Sequence, residues 1–410
     1  MRFAELWDEL LPIGRDEQTG GYRRYSWTEA DTACRAWFLR TAALLGLRAE
    51  CDRNGNLWAW WEEGTGRAVV TGSHLDSVPD GGAFDGPLGI VTAFAAVDQL
   101  RARGFRPVRP LAVAAFTEEE GARFGVACLG SRLMTGAIEP AAARELRDGT
   151  GVSLAAAMSA AGLDPDALGP DEQRAAGIDA YVELHIEQGS ALGALGAAVG
   201  VGSVIWPHGR WLFDFTGRAD HAGTTRLSDR HDPMLPYAAA VLAARQAAAG
   251  HGALATFGKV VAEPGAANAI CSTVRAWLDA RAPDAAALDR LLAQLTAEAT
   301  DAAVQHGVGL EIRRESFTAE VSFDPRLRDR MASLLGRPDA GTGRPATSAP
   351  ALPTGAGHDA GVLAARVPSG MLFVRNPSGV SHSPAEHAER ADCEAGVSAL
   401  TAVLADLAGQ

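Results

Sequence analysis

Between about Ala68 and Ile186, short apolar runs of strand character alternate with helical segments, and this alternation constrains the fold more than any other feature of the chain. Ala68–Thr71 (AVVT), Leu111–Phe116 (LAVAAF) and Tyr181–Ile186 each read as a buried strand. Between the first two, Gly86-Pro87 opens the helical run PLGIVTAFAAVDQL, with proline at a first-turn position where its missing N–H is no loss. Strands alternating with helices predict a parallel or mostly parallel sheet covered on both faces.

The stretch from Pro140 to Gly177, rich in Ala, Asp and Gly, reads as a long surface connection holding one short helix over Leu154–Ala161. From about Gly209 the pattern changes. WLFDFTG alternates like a half-exposed strand, and Leu254–Val261 and Ser272–Ala280 look like further strands. Pro233–Ala249 and Asp284–Val304 are Ala-rich helices. The order β-α-β-β-α-β fits a compact α+β insertion. After Phe323-Asp324-Pro325 a helix resumes, and Met371–Val374 returns to a buried strand. The expected fold class is therefore α/β: a mostly parallel or mixed sheet with helices on both faces, plus an inserted smaller α+β domain. Residues 1–208 together with 321–410 form the expected main domain, and 209–320 the inserted one.

Apolar residues make up 47 % of the 410, enough for a sizeable core, so two domains are expected rather than disorder. A net charge of −13 disfavours nucleic acid and anionic membrane surfaces as partners. It leaves room for an anionic small molecule, because a buried Arg or a metal overrides the mean field locally. No run reaches the ~20 apolar residues of a membrane span, and the start, MRFAELWDELLPIG, lacks a signal-peptide core. The five cysteines are odd in number and widely spaced, with no CxxC pair, which argues against a disulfide framework or a zinc knuckle and for a reducing cytoplasm.

Five segments place metal-binding side chains just after a predicted strand: His74-Leu-Asp76, Phe84-Asp85-Gly86, Glu118-Glu119-Glu120-Gly121, His185-Ile-Glu187-Gln188 and His382-Ser-Pro-Ala-Glu386. Ligands of open α/β sheets gather beyond the carboxyl ends of the strands. Three histidines among carboxylates suit zinc or manganese. Three adjacent glutamates in low dielectric would repel one another unless a dication removes the penalty. One Glu can then ligate, while its neighbour takes a proton from water. Taken singly, each signal has a bland reading: a core histidine, a solvated acidic turn, or a turn residue at Asp85. Their weight lies in falling at strand ends in one chain.

At these residues the sequence resembles the ureido-acid branch of the aminoacylase/carboxypeptidase-like dinuclear metallohydrolases, which holds allantoate amidohydrolases, N-carbamoyl-L-amino-acid hydrolases and β-ureidopropionases. The matching motifs are GSHLDSVPDGGAFDGPLG, TEEEGARFG, ELHIEQG, GRADHAGTT, Asn268, Asp279-x-Arg281, GAGHDA and GVSHSPAE, in order from residue 72 to 386. The resemblance implies a zinc-exopeptidase-like main domain and an inserted domain serving dimerisation and as a lid. It implies two divalent ions, manganese or zinc, with His74 and His382 as terminal ligands, Asp85 bridging, and Glu120 and His185 completing the sites. Asp76 resembles the carboxylate that orients His74, and Glu119 the general base. His221 resembles the residue that stabilises the oxyanion, Asn268 and Arg281 the grip on a substrate carboxylate, and Gln188 a contact to the ureido group. Glu118 receives no role, and His358 and Asp359 are read as architectural. Arg226-Leu227 and Arg375-Asn376 depart from the family's usual residues, which bears on substrate identity and not on reaction class.

The resemblance thus implies a cytoplasmic homodimer, joined through the inserted domain, that hydrolyses the ureido C–N bond of a small carboxylate. Allantoate stands first, N-carbamoyl-L-amino acids or N-carbamoyl-β-alanine next. An aminoacylase or dipeptidase fits the HIEQG and DHAGTT wording less well. A metal-free binding relative predicts lost ligands, yet every expected ligand is present.

Overall fold

The computed structural model describes residues 2–336 and 349–409. The chain divides into two compact units, Met1–Val204 with Ser322–Gln410, and Ile205–Val321; the sequence reading put the seams at 209 and 320.

The first unit is built on a mixed sheet whose centre is parallel. Leu111–Phe116, Ala68–His74, Ile178–Ile186 and Ser369–Val374 run side by side in that order. Antiparallel strands extend both flanks, Leu57–Trp61 with Arg48–Cys51 on one side and Val199–Ile205 on the other. The four central strands are buried almost throughout, as their unbroken apolar character requires of a sheet covered on both faces. Along Ile178–Ile186, successive side chains point to opposite faces. Val182, Leu184 and Ile186 join a core with Ile90 and Phe94 of the helix Pro87–Ala102 and Leu400 and Leu404 of the helix Arg390–Ala408. Glu183, between them, turns to the other face and accepts a bond from Ala360 N of the short helix Asp359–Leu363.

After Ala68–His74, the chain crosses to Leu111–Phe116 on one side and later returns as Ile178–Ile186 on the other. The carboxyl end of Ala68–His74 is thus a switch point of the topology, where loops diverge and leave a crevice. Gly89 lets the helix Pro87–Ala102 approach the sheet closely: a Cβ there would lie 2.3 Å from the Leu184 carbonyl oxygen.

The stretch from Pro140 to Gly177 is more than a surface connection. It forms the helices Pro140–Arg144, Leu154–Ala160 and Glu172–Ala176, and Ala143, Leu154, Met158 and Leu168 pack with Phe124, Leu129 and Leu133 into a small core of their own. Sparse apolar residues at loop-like spacing concealed it.

The second unit is a four-stranded antiparallel sheet in the order Gly309–Thr318, His208–Thr216, Thr273–Arg281, Leu254–Glu263. With the helices Met234–His251 and Ala285–Gln305 it realises the β-α-β-β-α-β order. Burial alternates along Thr273–Arg281, so one face packs and the other is open. Phe213, Phe215, Val274 and Leu278 meet Ala244, Ala247, Leu288, Leu291 and Leu295 from the helices. Asp284 caps the second helix by accepting from Ala287 N at 2.7 Å.

All five cysteines are free. Among the described residues, no helix is long and apolar enough to cross a membrane.

Gly89→Ala should destabilise the first unit by about 1–3 kcal/mol, because its methyl group must push helix and strand apart. Urea unfolding checks this; an unchanged midpoint would contradict so close a contact.

Candidate active site

At the carboxyl ends of the central strands, the first unit brings five of the expected side chains around one carboxylate. His74 is the last residue of its strand, and His185 the penultimate residue of its own. Glu119 and Glu120 follow Leu111–Phe116 by a few residues, and His382 lies on the loop after Ser369–Val374. Asp85 enters just before the helix Pro87–Ala102. Its Oδ1 lies 3.5 Å from His74 Nε2 and 3.2 Å from His185 Nε2. Its Oδ2 lies 3.5 Å from His382 Nε2, which is also 3.6 Å from Glu120 Oε2. Ligand atoms of His74, Asp85 and His185 fall within 4.8 Å of one another, and so do those of Asp85, Glu120 and His382 and of His74, Glu119 and Glu120. Asp85 belongs to two of these groups.

The backbone around these groups is specialised. Gly86 has φ 82°, and a Cβ there would lie 2.4 Å from His74 Cε1, so only glycine lets Asp85 and the imidazole come together. Glu118 and His382 hold left-handed φ of 57° and 55°, a conformation that costs a non-glycine residue free energy and recurs at functional sites. Glu118 Oε1 accepts from Arg123 N and Phe124 N, which turns the loop back on itself.

Asp76 has a wider role than the sequence implied. His74 Nδ1 bonds the Asp76 backbone carbonyl at 3.1 Å, with the carboxylate at 3.5 Å. That carboxylate accepts from Glu119 N at 3.1 Å and Glu120 N at 3.0 Å, and so fixes the two glutamates. Glu386, which sequence reasoning quoted but gave no role, holds Asp85 in the same way: its Oε1 accepts from Phe84 N and Asp85 N, both at 2.9 Å. The GVSHSPAE motif contained that signal. Gln188 donates from Nε2 to Asp85 Oδ2 at 2.8 Å, so its amide nitrogen serves the carboxylate expected to bridge. The fork of Arg375 is held by Asp392 with two bonds of 2.8 Å.

The electrostatics call for cations. Burial pushes the Glu119 carboxyl well above its ordinary range, with Glu120, Asp359 and Asp76 adding to the effect against His74. Burial likewise raises Glu120, with Asp85 adding to it. Burial and then Asp85 bring Glu386 to about 7, and burial and then Asp76 bring Glu118 to about 7. Burial opposes ionisation of Asp85 as well, yet the His185 and His74 imidazoles hold it well below the usual carboxylate range. Among the described residues, His74 Nε2, His185 Nε2 and Glu120 Oε1 are buried without a hydrogen-bond partner. Orphaned, converging nitrogen and oxygen donors beside carboxylates forced together are what a divalent ion satisfies. The residues present therefore fit divalent metal ions.

The other expected residues belong to the second unit. His221 and Asn268 are neighbours there: His221 pairs with Ala269 across a two-residue ladder, and Ala222 N donates to the Asn268 carbonyl at 3.0 Å. Gly223 N donates to His221 Nδ1 at 2.9 Å, which leaves the imidazole proton on Nε2. Arg281 closes the strand Thr273–Arg281 and is bonded in fork fashion to Asp279 at 2.8 and 3.1 Å.

Comparison with known proteins agrees with this chemistry. The chain is 37 % identical to the N-carbamoyl-L-amino acid amidohydrolase of Geobacillus stearothermophilus, with 96 % of each covered. It is 32 % identical to the allantoate amidohydrolase of Escherichia coli, over 100 % of this chain and 99 % of that one. The structure of AtUAH in complex with (S)-hydroxyglycine superposes with a TM-score of 0.86 at 29 % identity, covering 100 % of this chain and 97 % of that one. Residues 70–406 match the model of peptidase family M20/M25/M40. With its clustered histidines and carboxylates at the ends of a parallel sheet and relatives named for amide hydrolysis, the chain belongs to that family.

Proposed function

We propose that the chain hydrolyses the ureido C–N bond of a small N-carbamoyl carboxylate, using two divalent ions, manganese or zinc. The observation that carries this reading is Asp85, shared between the His74–His185 and Glu120–His382 groups with Glu119 beside them. His74, Asp85 and His185 would hold one ion, and Asp85, Glu120 and His382 the other. When bound, such ions supply Lewis acidity and make water a competent nucleophile at neutral pH.

The chain's own residues do the rest. Glu119 Oε2 faces His74 Nε2 at 3.7 Å and is the atom that accepts the proton of the attacking water. The same oxygen then delivers the proton to the departing nitrogen. Water adds to the carbonyl carbon, the C–N bond breaks, and the amine leaves; the carbamic acid decomposes to ammonia and carbon dioxide. His221, with its proton on Nε2, is suited to donate to the developing oxyanion. Asn268 and Arg281 bind the substrate carboxylate, with the Arg281 guanidinium braced by Asp279. Within the ureido acids, allantoate stands first, with N-carbamoyl-L-amino acids beside it, and relatives named for each are similar to this chain. Ammonia release from both, and from N-carbamoyl-β-alanine, with manganese and with zinc, tests the assignment. No release from any would refute it.

We also propose a homodimer through the second unit. The outward face of the helix Met234–His251 exposes Leu235, Val241 and Leu242, and the edge strand Leu254–Glu263 exposes Leu254 and Val260. An edge strand, without a further neighbour among the described residues and beside an apolar helix face, invites a second copy.

Glu119→Gln should retain its metal and lose about 100-fold or more in kcat, the usual scale of general acid–base catalysis. Near-normal turnover of a fully metallated variant would remove Glu119 from this role. Arg281→Ala should chiefly raise KM for carboxylate substrates, since it removes ground-state binding; an unchanged KM would point to another anchor. Leu242→Glu should shift the chain from dimer to monomer in sedimentation velocity, and a wild-type monomer would contradict the proposed interface.

A further inference from the structure

Cys128 follows the triple-glutamate loop and holds Glu119 at two points. Its N–H donates to the Glu119 carbonyl at 2.7 Å. Its thiol donates to Glu119 Oε1 at 3.3 Å. The residue is buried, and it begins the helix Leu129–Thr135 in a left-handed conformation with φ 54°. Glycine would adopt that backbone with less strain, but it would bring no donor to the carboxylate. Burial, with Glu119 and Asp359 adding to it, pushes the thiol well above its ordinary range, so it keeps its proton and acts as the donor.

The two oxygens of Glu119 therefore face different groups. Oε1 receives the thiol, and Oε2 stands 3.7 Å from His74 Nε2, on the side of the converging ligands. The terminal torsion of a glutamate is broad and roughly two-fold, so an untethered carboxylate samples many orientations. A single donor on one oxygen narrows that range and keeps the other aimed at the reacting atoms.

We propose that Cys128 is a positioning residue for Glu119, its thiol fixing Oε1 so that Oε2 is presented to the attacking water. The inference rests on Glu119 being the proton carrier of the proposed hydrolysis. It concerns the chemical step and not substrate capture, so its loss falls on kcat and leaves KM in place.

The test compares wild type, Cys128→Ala and Cys128→Ser, each loaded with manganese, on the ureido acid that wild type cleaves fastest. Infrared S–H stretching bands are recorded on manganese-loaded wild type and Glu119→Gln without substrate, with Cys128→Ser subtracted to isolate this thiol. Cys128→Ala should lower kcat roughly ten-fold, the scale of one hydrogen bond to a charged group, with KM and metal content unchanged. Cys128→Ser, which keeps a donor, should recover most of the loss. The S–H band should lie low in wild type and rise in Glu119→Gln, where the acceptor is no longer charged. Wild-type kcat in Cys128→Ala, equal losses in the Ala and Ser variants, or a band that ignores Glu119→Gln would each overturn the proposal. If Cys128→Ala does not fold, the serine variant and the spectra decide. A wild-type chain inactive on every ureido acid refutes the proposed function instead, and the band, which needs no turnover, still decides the Cys128 contact.

Discussion

Asp85 is buried among three imidazoles and several acids, and the architecture of the first unit depends on keeping it there. Its two oxygens face opposite groups: His74 and His185 on one side, His382 on the other. A carboxylate withdrawn from water is costly unless positive charge compensates it. In a metal-free chain the imidazoles can supply that charge only by holding protons. Divalent ions supply it while leaving the histidines neutral, the form in which histidine ligates. The surrounding details serve the same end. Gly86 yields the space of a side chain to His74, Glu386 binds the backbone N–H of Asp85, and Asp76 binds those of Glu119 and Glu120.

The parallel sheet makes the convergence affordable in conformational terms. Each proposed ligand on a strand stands at its carboxyl end, and each loop ligand needs only a short excursion from the strand before it. The strands are held by buried apolar packing and continuous ladders, so the ligand positions inherit their rigidity from the core. Left-handed backbone at Glu118, Cys128 and His382 is the local cost of turning those loops inward.

Much of this was legible in the sequence, for identifiable reasons. Buried parallel strands are continuous apolar runs, so AVVT, LAVAAF and the run to Ile186 stood out, and residues at their ends could be grouped before any coordinates. The flanking strands did not stand out. Arg48–Cys51 is short and half charged, and Val199–Ile205 is interrupted by glycines, so only pairing with neighbours defines them. The small core around Met158 was hidden because its residues are scattered over several short helices. Within the site, residue types betrayed the candidate ligands, but not the contacts that orient them. The GVSHSPAE motif marks Glu386 without saying that it binds backbone, and no pattern announces that Gln188 turns to Asp85, that Asp392 claims Arg375, or that a cysteine nine residues on reaches back to Glu119. Such bonds depend on loop conformation, which local propensity does not encode.

The central claim is that one carboxylate joins two metal sites. Metal content per chain, measured by mass spectrometry after equilibration with manganese, tests it most directly when Asp85→Ala is set beside His382→Ala. The account predicts two ions in wild type, one retained in His382→Ala, and both lost in Asp85→Ala. A wild type that binds none, or an Asp85→Ala chain that keeps its full complement, would contradict it.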